Sequence, residues 1–305
     1  MKTGFQVTAP KQGDGPGSVG GATIGTPVAP AGRGVDLDAL LATAVRYQEA
    51  GCFDEARDAY REILSHRADV AAIHHNLGVV NLLAGRLDAA CTAFGDALDI
   101  EPSLAESRMG LGQALHGLNK LDQAAEAFRG AVEQLPDLAE AHFNLAGILF
   151  ESKQLDESVV AYERAITLQP DILGAHVNLG HVLRRLGRLD EAIEAYRTAT
   201  NRAPGEIDGP YALGQALREE GRFEEALESF DTILTHHPDH ALAHCMKASC
   251  LQGLGREDAA LAAYRNAMAR DEAVFPIILK SITQMPSGWF WLDTEDLRRE
   301  LTAAS

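Results

Sequence analysis

Histidine and asparagine return in this chain at fixed intervals. His74, His142, His176 and His244 are 68, 34 and 68 residues apart, and Asn76, Asn144 and Asn178 trail three of them by two positions. Imidazoles suggest metal ligation, and amides suggest hydrogen bonds to a peptide backbone, since one Asn side chain both donates and accepts. Metal ligation by two residues of one helix needs them about one turn apart, as in an i, i+4 pair. These histidines sit in different segments, so the spacing argues for a shared structural position and against a metal centre. His74 and His75 are adjacent and point to different faces. His236, His237 and His240 flank Pro238 in what reads as a solvated turn. No metal or cofactor is expected.

Other catalytic chemistry finds no footing. The sequence has no phosphate loop, no GxSxG and no HExxH. Cys52, Cys91, Cys245 and Cys250 form no CxxC pair and read as reduced thiols packed in helices, in a cytoplasmic protein. The formal net charge of −17 excludes nucleic acid and anionic lipid as main partners, because both require a basic surface. No apolar run reaches the ~18 residues of a membrane span.

The elements that carry these residues repeat with the same period. Pro102, Pro136, Pro170, Pro204 and Pro238 are each 34 residues apart. Gly78, Gly112, Ala146, Gly180, Gly214 and Ala248 form one column of small residues. Ala90, Ala124, Ser158, Ala192, Ala226 and Ala260 form a second. Phe94, Phe128, Tyr162, Tyr196, Phe230 and Tyr264 form an aromatic column. Small and apolar positions recur three and four apart and break once per unit, at "AGRLDAA", "LNKLDQAA", "SKQLDESV" and "LGRLDEAI". Each unit therefore reads as two helices. Asp88, Asp122, Asp156 and Asp190 open the second helix, where a carboxylate is expected to cap free N–H groups and meet the positive end of the dipole. Small residues let helices approach, rings fill the space between units, and units must stack because none buries its apolar face alone.

These columns resemble the tetratricopeptide repeat family. The resemblance runs from residue 37 to 274 as seven units: 37–70, 71–104, 105–138, 139–172, 173–206, 207–240 and 241–274. Its degenerate ends, Ala68 and Glu272 at the proline position, are what repeat arrays show. The fold it implies is all-α: a right-handed superhelical α-solenoid of about seven helix pairs. Residues 1–36 are expected to be a disordered, Gly/Pro-rich leader. Residues 275–305 are expected to hold a capping helix over Phe275 to Gln284, a turn at Pro286 to Gly288, and a short amphipathic helix ending at Leu301. Trp289 and Trp291 lie between, either folded back on the cap or free as a docking segment.

The resemblance implies that each first helix lines a concave groove through its positions two, five, six, nine, twelve and thirteen. Position six brings Asn76, Asn144 and Asn178, with Gly110, Ala212 and Met246 interrupting the series. Their context is similar to arrays of the O-linked GlcNAc transferase type, in which an asparagine ladder grips peptide backbones. The other reading is that these amides only bond neighbouring helices. Position five offers Met109, Phe143 and Tyr211, an apolar component for a ligand. Near the helix ends, His181, Arg184, Gln215 and Arg218 form a polar, cationic patch. Either it captures a carboxylate, or its arginines cap helix C-termini and pair with nearby Glu. The Lys/Asn/Arg clamp of chaperone-tail adaptors is missing. The expected function is a non-enzymatic scaffold holding an extended segment of a protein partner. The alternatives are a self-associating scaffold and an accessory subunit of a separately encoded transferase.

Overall fold

The computed structural model describes residues 35–283 and 294–302. The leader up to Gly34, the turn at Pro286 to Gly288, Trp289 and Trp291 lie outside the described residues. Among those described there are sixteen α-helices and one 3-10 turn at Glu272–Val274. The helices fall into antiparallel pairs. The first four pairs are α1 (Leu37–Glu49) with α2 (Phe53–His66), α3 (Ala71–Leu83) with α4 (Leu87–Ile100), α5 (Ala105–Gly117) with α6 (Leu121–Gln134), and α7 (Ala139–Glu151) with α8 (Leu155–Leu168). Three more follow: α9 (Leu173–Arg185) with α10 (Leu189–Arg202), α11 (Asp208–Glu219) with α12 (Phe223–His236), and α13 (Ala241–Gly253) with α14 (Glu257–Arg270). The helices divide into two compact bodies, the first ending at Gln169 and the second beginning at Pro170.

Rings and small residues build each pair. Phe94, Phe128, Tyr162, Tyr196, Phe230 and Tyr264 are all buried. A Cβ added to Gly78 would come within 2.6 Å of the Phe94 ring, and one added to Gly180 within 2.4 Å of the Tyr196 ring. Nothing larger than glycine fits at either position without displacing the ring. The column of small residues thus exists to admit the aromatic column. Phe94 also presses on the next pair: a Cβ on Gly110 would lie 2.4 Å from it. One ring therefore fills the space within its own unit and the space beside the following one.

Each first helix ends on a left-handed residue. Glycine takes this place at Gly51, Gly85, Gly187, Gly221 and Gly255, whereas Asn119 (φ 59°) and Lys153 (φ 64°) take it at the ends of α5 and α7. At Lys153 the geometry is a full Schellman closure. The Lys153 N–H donates to the Phe150 carbonyl (3.0 Å) and the Gln154 N–H to the Leu149 carbonyl (2.8 Å). A lysine there carries a steric penalty that glycine avoids.

The second helices start two residues earlier than a capping Asp requires. Arg86, Lys120, Gln154 and Arg188 hold the N-cap positions of α4, α6, α8 and α10, and no side chain caps them. Asp88, Asp122, Asp156 and Asp190 lie inside the first turn, where helical backbone angles keep their carboxylates from capping the N-cap's open N–H groups. The capping expectation fails. The favourable placement of negative charge at the positive end of the helix dipole stands.

The last pair is covered. Helix α15 (Phe275–Thr283) packs on α13, and α16 (Thr294–Thr302) packs on α14. Ile278 and Ile282 are buried on the first, Leu297 and Leu301 on the second. The Tyr264 hydroxyl bonds Ser281 (2.9 Å), Arg265 holds Glu300, and the Arg298 guanidinium sits 4.7 Å over the Phe275 ring. Helices α15 and α16 thus occupy the place that another repeat pair would take, which closes the apolar face of α13 and α14.

Candidate functional site

The histidine column is a backbone clasp. Nε2 of His142 donates to the Pro136 carbonyl at 2.9 Å, and Nε2 of His244 donates to the Pro238 carbonyl at 2.9 Å. His74 does the same to the Ala68 carbonyl at 3.0 Å. In the intervening unit Arg108 takes over, with Nη2 donating to the Pro102 carbonyl at 3.0 Å. His176 is turned toward the Pro170 carbonyl without closing the bond, and burial pushes its pKa down. The four closed bonds each satisfy the carbonyl of the turn six residues upstream, a group with no helical partner. Two of the turn histidines, His237 and His240, are likewise engaged. Nε2 of His237 donates to the Gly205 carbonyl at 2.8 Å, and Nδ1 of His240 caps α13 by accepting from the Ala243 N–H at 3.0 Å. Among the described residues no group of three His, Cys, Asp or Glu could hold a metal ion. All four cysteines are unbridged, and burial pushes the Cys245 and Cys250 thiols up to about 12.

The asparagines separate by environment. Asn76 and Asn178 are half-buried. Asn144 is 1% exposed, and neither its Oδ1 nor its Nδ2 has a hydrogen-bond partner. It is closed to a ligand as it stands. So are the neighbours expected to line a groove with it: Met109 is 8% exposed, and Phe143 is 5% exposed with its ring edge-on to Tyr162 at 5.7 Å. The gap at Gly110 has a steric cause, since an asparagine there would drive its Cβ into Phe94. At Gly110 and Asn144, position six is a packing position.

The second body keeps its polar positions half-open. On α9, Asn178, His181 and Arg184 share one face at intervals of three. On α11, Gln215 and Arg218 stand one unit on from His181 and Arg184, Tyr211 lies one turn before Gln215, and all six side chains are half-buried. Five of them are held from behind. Nδ1 of His181 shares a 2.8 Å hydrogen bond with the Tyr196 hydroxyl, and burial lowers the His181 pKa. Arg184 donates to Glu219 on α11 at 2.9 Å and reaches the Tyr196 hydroxyl. Tyr211 packs edge-on to Phe230 at 6.1 Å and lies within hydrogen-bonding reach of Gln215. Arg218 donates through Nη1 to Ser249 on α13 at 3.2 Å.

The four patch residues therefore do not make one shared cationic site. His181 and Arg184 are committed to Tyr196 and Glu219. Among the described residues no carboxylate pairs with Arg218, and its Nε is buried without a partner. Arg218, Glu219, Phe223 and Ser249 line a hollow of about 240 Å³. The sequence pointed to Arg218 but missed Ser249 and Phe223. Both follow from the repeat, as position nine of the next unit and the first residue of α12.

Comparison with known proteins agrees with this architecture. The tetratricopeptide repeat model matches residues 41–105, 92–139, 109–171, 154–207 and 211–273, and no other kind of segment is matched. No curated protein matches in sequence. Solved structures do. YrrB, described as a tetratricopeptide protein with an unusual peptide-binding site, is 24% identical over 62% of this chain and 97% of its own, with a TM-score of 0.54. MamA is 27% identical over 56% of this chain and 93% of its own, with a TM-score of 0.53. PilF of Pseudomonas aeruginosa is 20% identical over 76% and 99%, with a TM-score of 0.57. These likenesses support the fold and not the narrower likeness to the GlcNAc transferase array. No helix among the described residues is long and apolar enough to cross a membrane. The repeat match reaches from residue 41 to residue 273 with a break only at 208–210, and the helix pairs follow the same period, so the chain belongs to the tetratricopeptide repeat family.

Proposed function

We propose that this protein is a non-enzymatic scaffold that binds an extended segment of a partner protein along the first helices of its second body. The carrying observation is the strip of six half-buried side chains on α9 and α11: Asn178, His181, Arg184, Tyr211, Gln215 and Arg218. They present donors, acceptors and one phenol ring at the spacing of successive helical turns. Most are fixed from behind by neighbours, so less side-chain entropy is lost when a ligand arrives. Family membership supports the same reading, because tetratricopeptide domains typically mediate protein–protein contacts. Asn76 extends the amide series in the first body, while Asn144, Phe143 and Met109 serve packing there.

The test is an array of random-sequence decapeptides probed with the full chain. The expected outcome is a retained set that free peptide competes off and that Tyr211→Ala with Gln215→Ala weakens at unchanged helicity. Retention of no peptide by the folded chain overturns the reading.

A further inference from the structure

We propose that the hollow beside Arg218, Ser249 and Phe223 is a carboxylate-binding site that takes either a peptide C-terminus or an Asp/Glu side chain. The inference rests on the scaffold reading and names the chemistry that one end of its ligand must supply. Three observations carry it.

The first is a donor with nothing to donate to. Arg218 ends its helix turn against α13, where its Nη1 donates to Ser249 at 3.2 Å. Among the described residues the buried Nε of Arg218 has no partner. Buried donors are almost always satisfied, so this orphan on a side chain lining the hollow marks a place where an acceptor belongs.

The second is local charge. Glu219 is at the rim, but Arg184 already pairs with it at 2.9 Å. Two guanidinium groups against one carboxylate leave a single positive charge, and it resides on Arg218. A planar guanidinium and a carboxylate match in a two-pronged geometry. A monoanion balances the site. A phosphate dianion would overfill it beside Glu219, in a chain of net charge −17.

The third is shape. The hollow has about 240 Å³, and the Phe223 ring forms its apolar wall. The ring lies so close to α13 that a Cβ on Gly253 would be 2.7 Å from it. Its position is fixed, and it gives an apolar side chain beside the carboxylate a surface to cover.

The experiment is a titration of the full-length, ¹⁵N-labelled protein, following the Arg218 Nε–H resonance. N-acetyl-L-leucine presents an α-carboxylate. N-acetyl-L-glutamate α-amide presents a side-chain carboxylate. N-acetyl-L-leucinamide and inorganic phosphate are controls. Saturable shifts with either carboxylate, none with the amide, and at least about tenfold weaker binding in Arg218→Gln support the site. Whichever carboxylate binds more tightly identifies the source. Equal binding of the amide, tighter binding of phosphate, no saturable shift, or unchanged affinity in a folded Arg218→Gln overturns it. Ser249→Ala provides a second variant that leaves the Arg184–Glu219 pair untouched and should also weaken carboxylate binding. Array peptides that bind regardless of Arg218 would remove this site and leave the scaffold reading standing.

Discussion

Helices α7 and α9 carry nearly the same words, AHFNLAGILF and AHVNLGHVLR, and put them to different uses. In α7 every residue from Ala141 to Leu149 is buried. In α9 the same stretch opens at Asn178, His181 and Arg184. The exchanges that matter are Phe143 for Val177, Gly147 for His181 and Phe150 for Arg184. In the first body Phe143 lies against Tyr162, and a Cβ on Gly147 would sit 3.5 Å from the Tyr162 hydroxyl. In the second, His181 takes over the ring contact with Tyr196 at 5.3 Å and adds a hydrogen bond to it. One scaffold position thus packs a core in one body and displays a polar group in the other.

Glycine substitutions should break this comparison most sharply. Gly180→Ala forces a methyl into the Tyr196 ring and is expected to cost about 1–3 kcal/mol. Gly147→Ala meets only an ordinary contact at 3.5 Å and should gain up to about 1 kcal/mol in helix propensity. Urea midpoints of the two variants must move in opposite directions, and movement in one direction would undo the contrast.

The asparagines come next. Asn144→Leu removes a buried amide with no partner and should stabilise the chain by about 1–3 kcal/mol. Asn178→Leu exchanges a half-exposed amide and should change stability by less than about 0.5 kcal/mol while weakening peptide retention. If Asn144→Leu abolishes peptide capture instead, the first body belongs to the binding surface.

The turn residues give a smaller effect. Lys153→Gly relieves a positive φ of 64° and should gain about 1 kcal/mol, whereas Gly187→Ala, at φ 76°, should lose about as much. Thermal melts of both variants decide it.

The smallest effect is the pH dependence. Burial lowers the pKa of His75 in the first body, and of His176, His181 and His244 in the second, from 6.5. On acidification the unfolded chain takes up protons before the folded one does. Stability therefore rises with pH across the window below 6.5 and is lost as pH falls through it. Melting temperatures at about pH 7 and about pH 5.5 should show that loss. His181→Gln should reduce it and His75→Gln should reduce it separately, if each body titrates on its own.

Much of the fold was legible because one ring and one small residue meet in every unit. Phe94 and Gly78, or Tyr196 and Gly180, stand at the same separation in the sequence, and that regularity is the packing. The cap helices were legible as apolar and amphipathic runs. The histidine column was legible as structural, but its acceptor was not. The Pro136 carbonyl lies six residues upstream, a distance that no side-chain periodicity marks. Asp88 and its equivalents were misread by two positions, because where a helix starts is set by backbone hydrogen bonds.

The sequence by itself determined the period, the paired helices and the columns that stack them, because these rest on contacts repeated at one fixed separation. It also marked Arg218 as a candidate. Only the tertiary structure decided that Asn144 is closed and that, among the described residues, Arg218 has no acid of its own. Both outcomes depend on neighbours from other helices. Glu219 is 35 residues from Arg184 and adjacent to Arg218, yet the guanidinium it meets is the distant one. A cation's availability is fixed by which carboxylate reaches it first in space, and spacing along the chain does not record that.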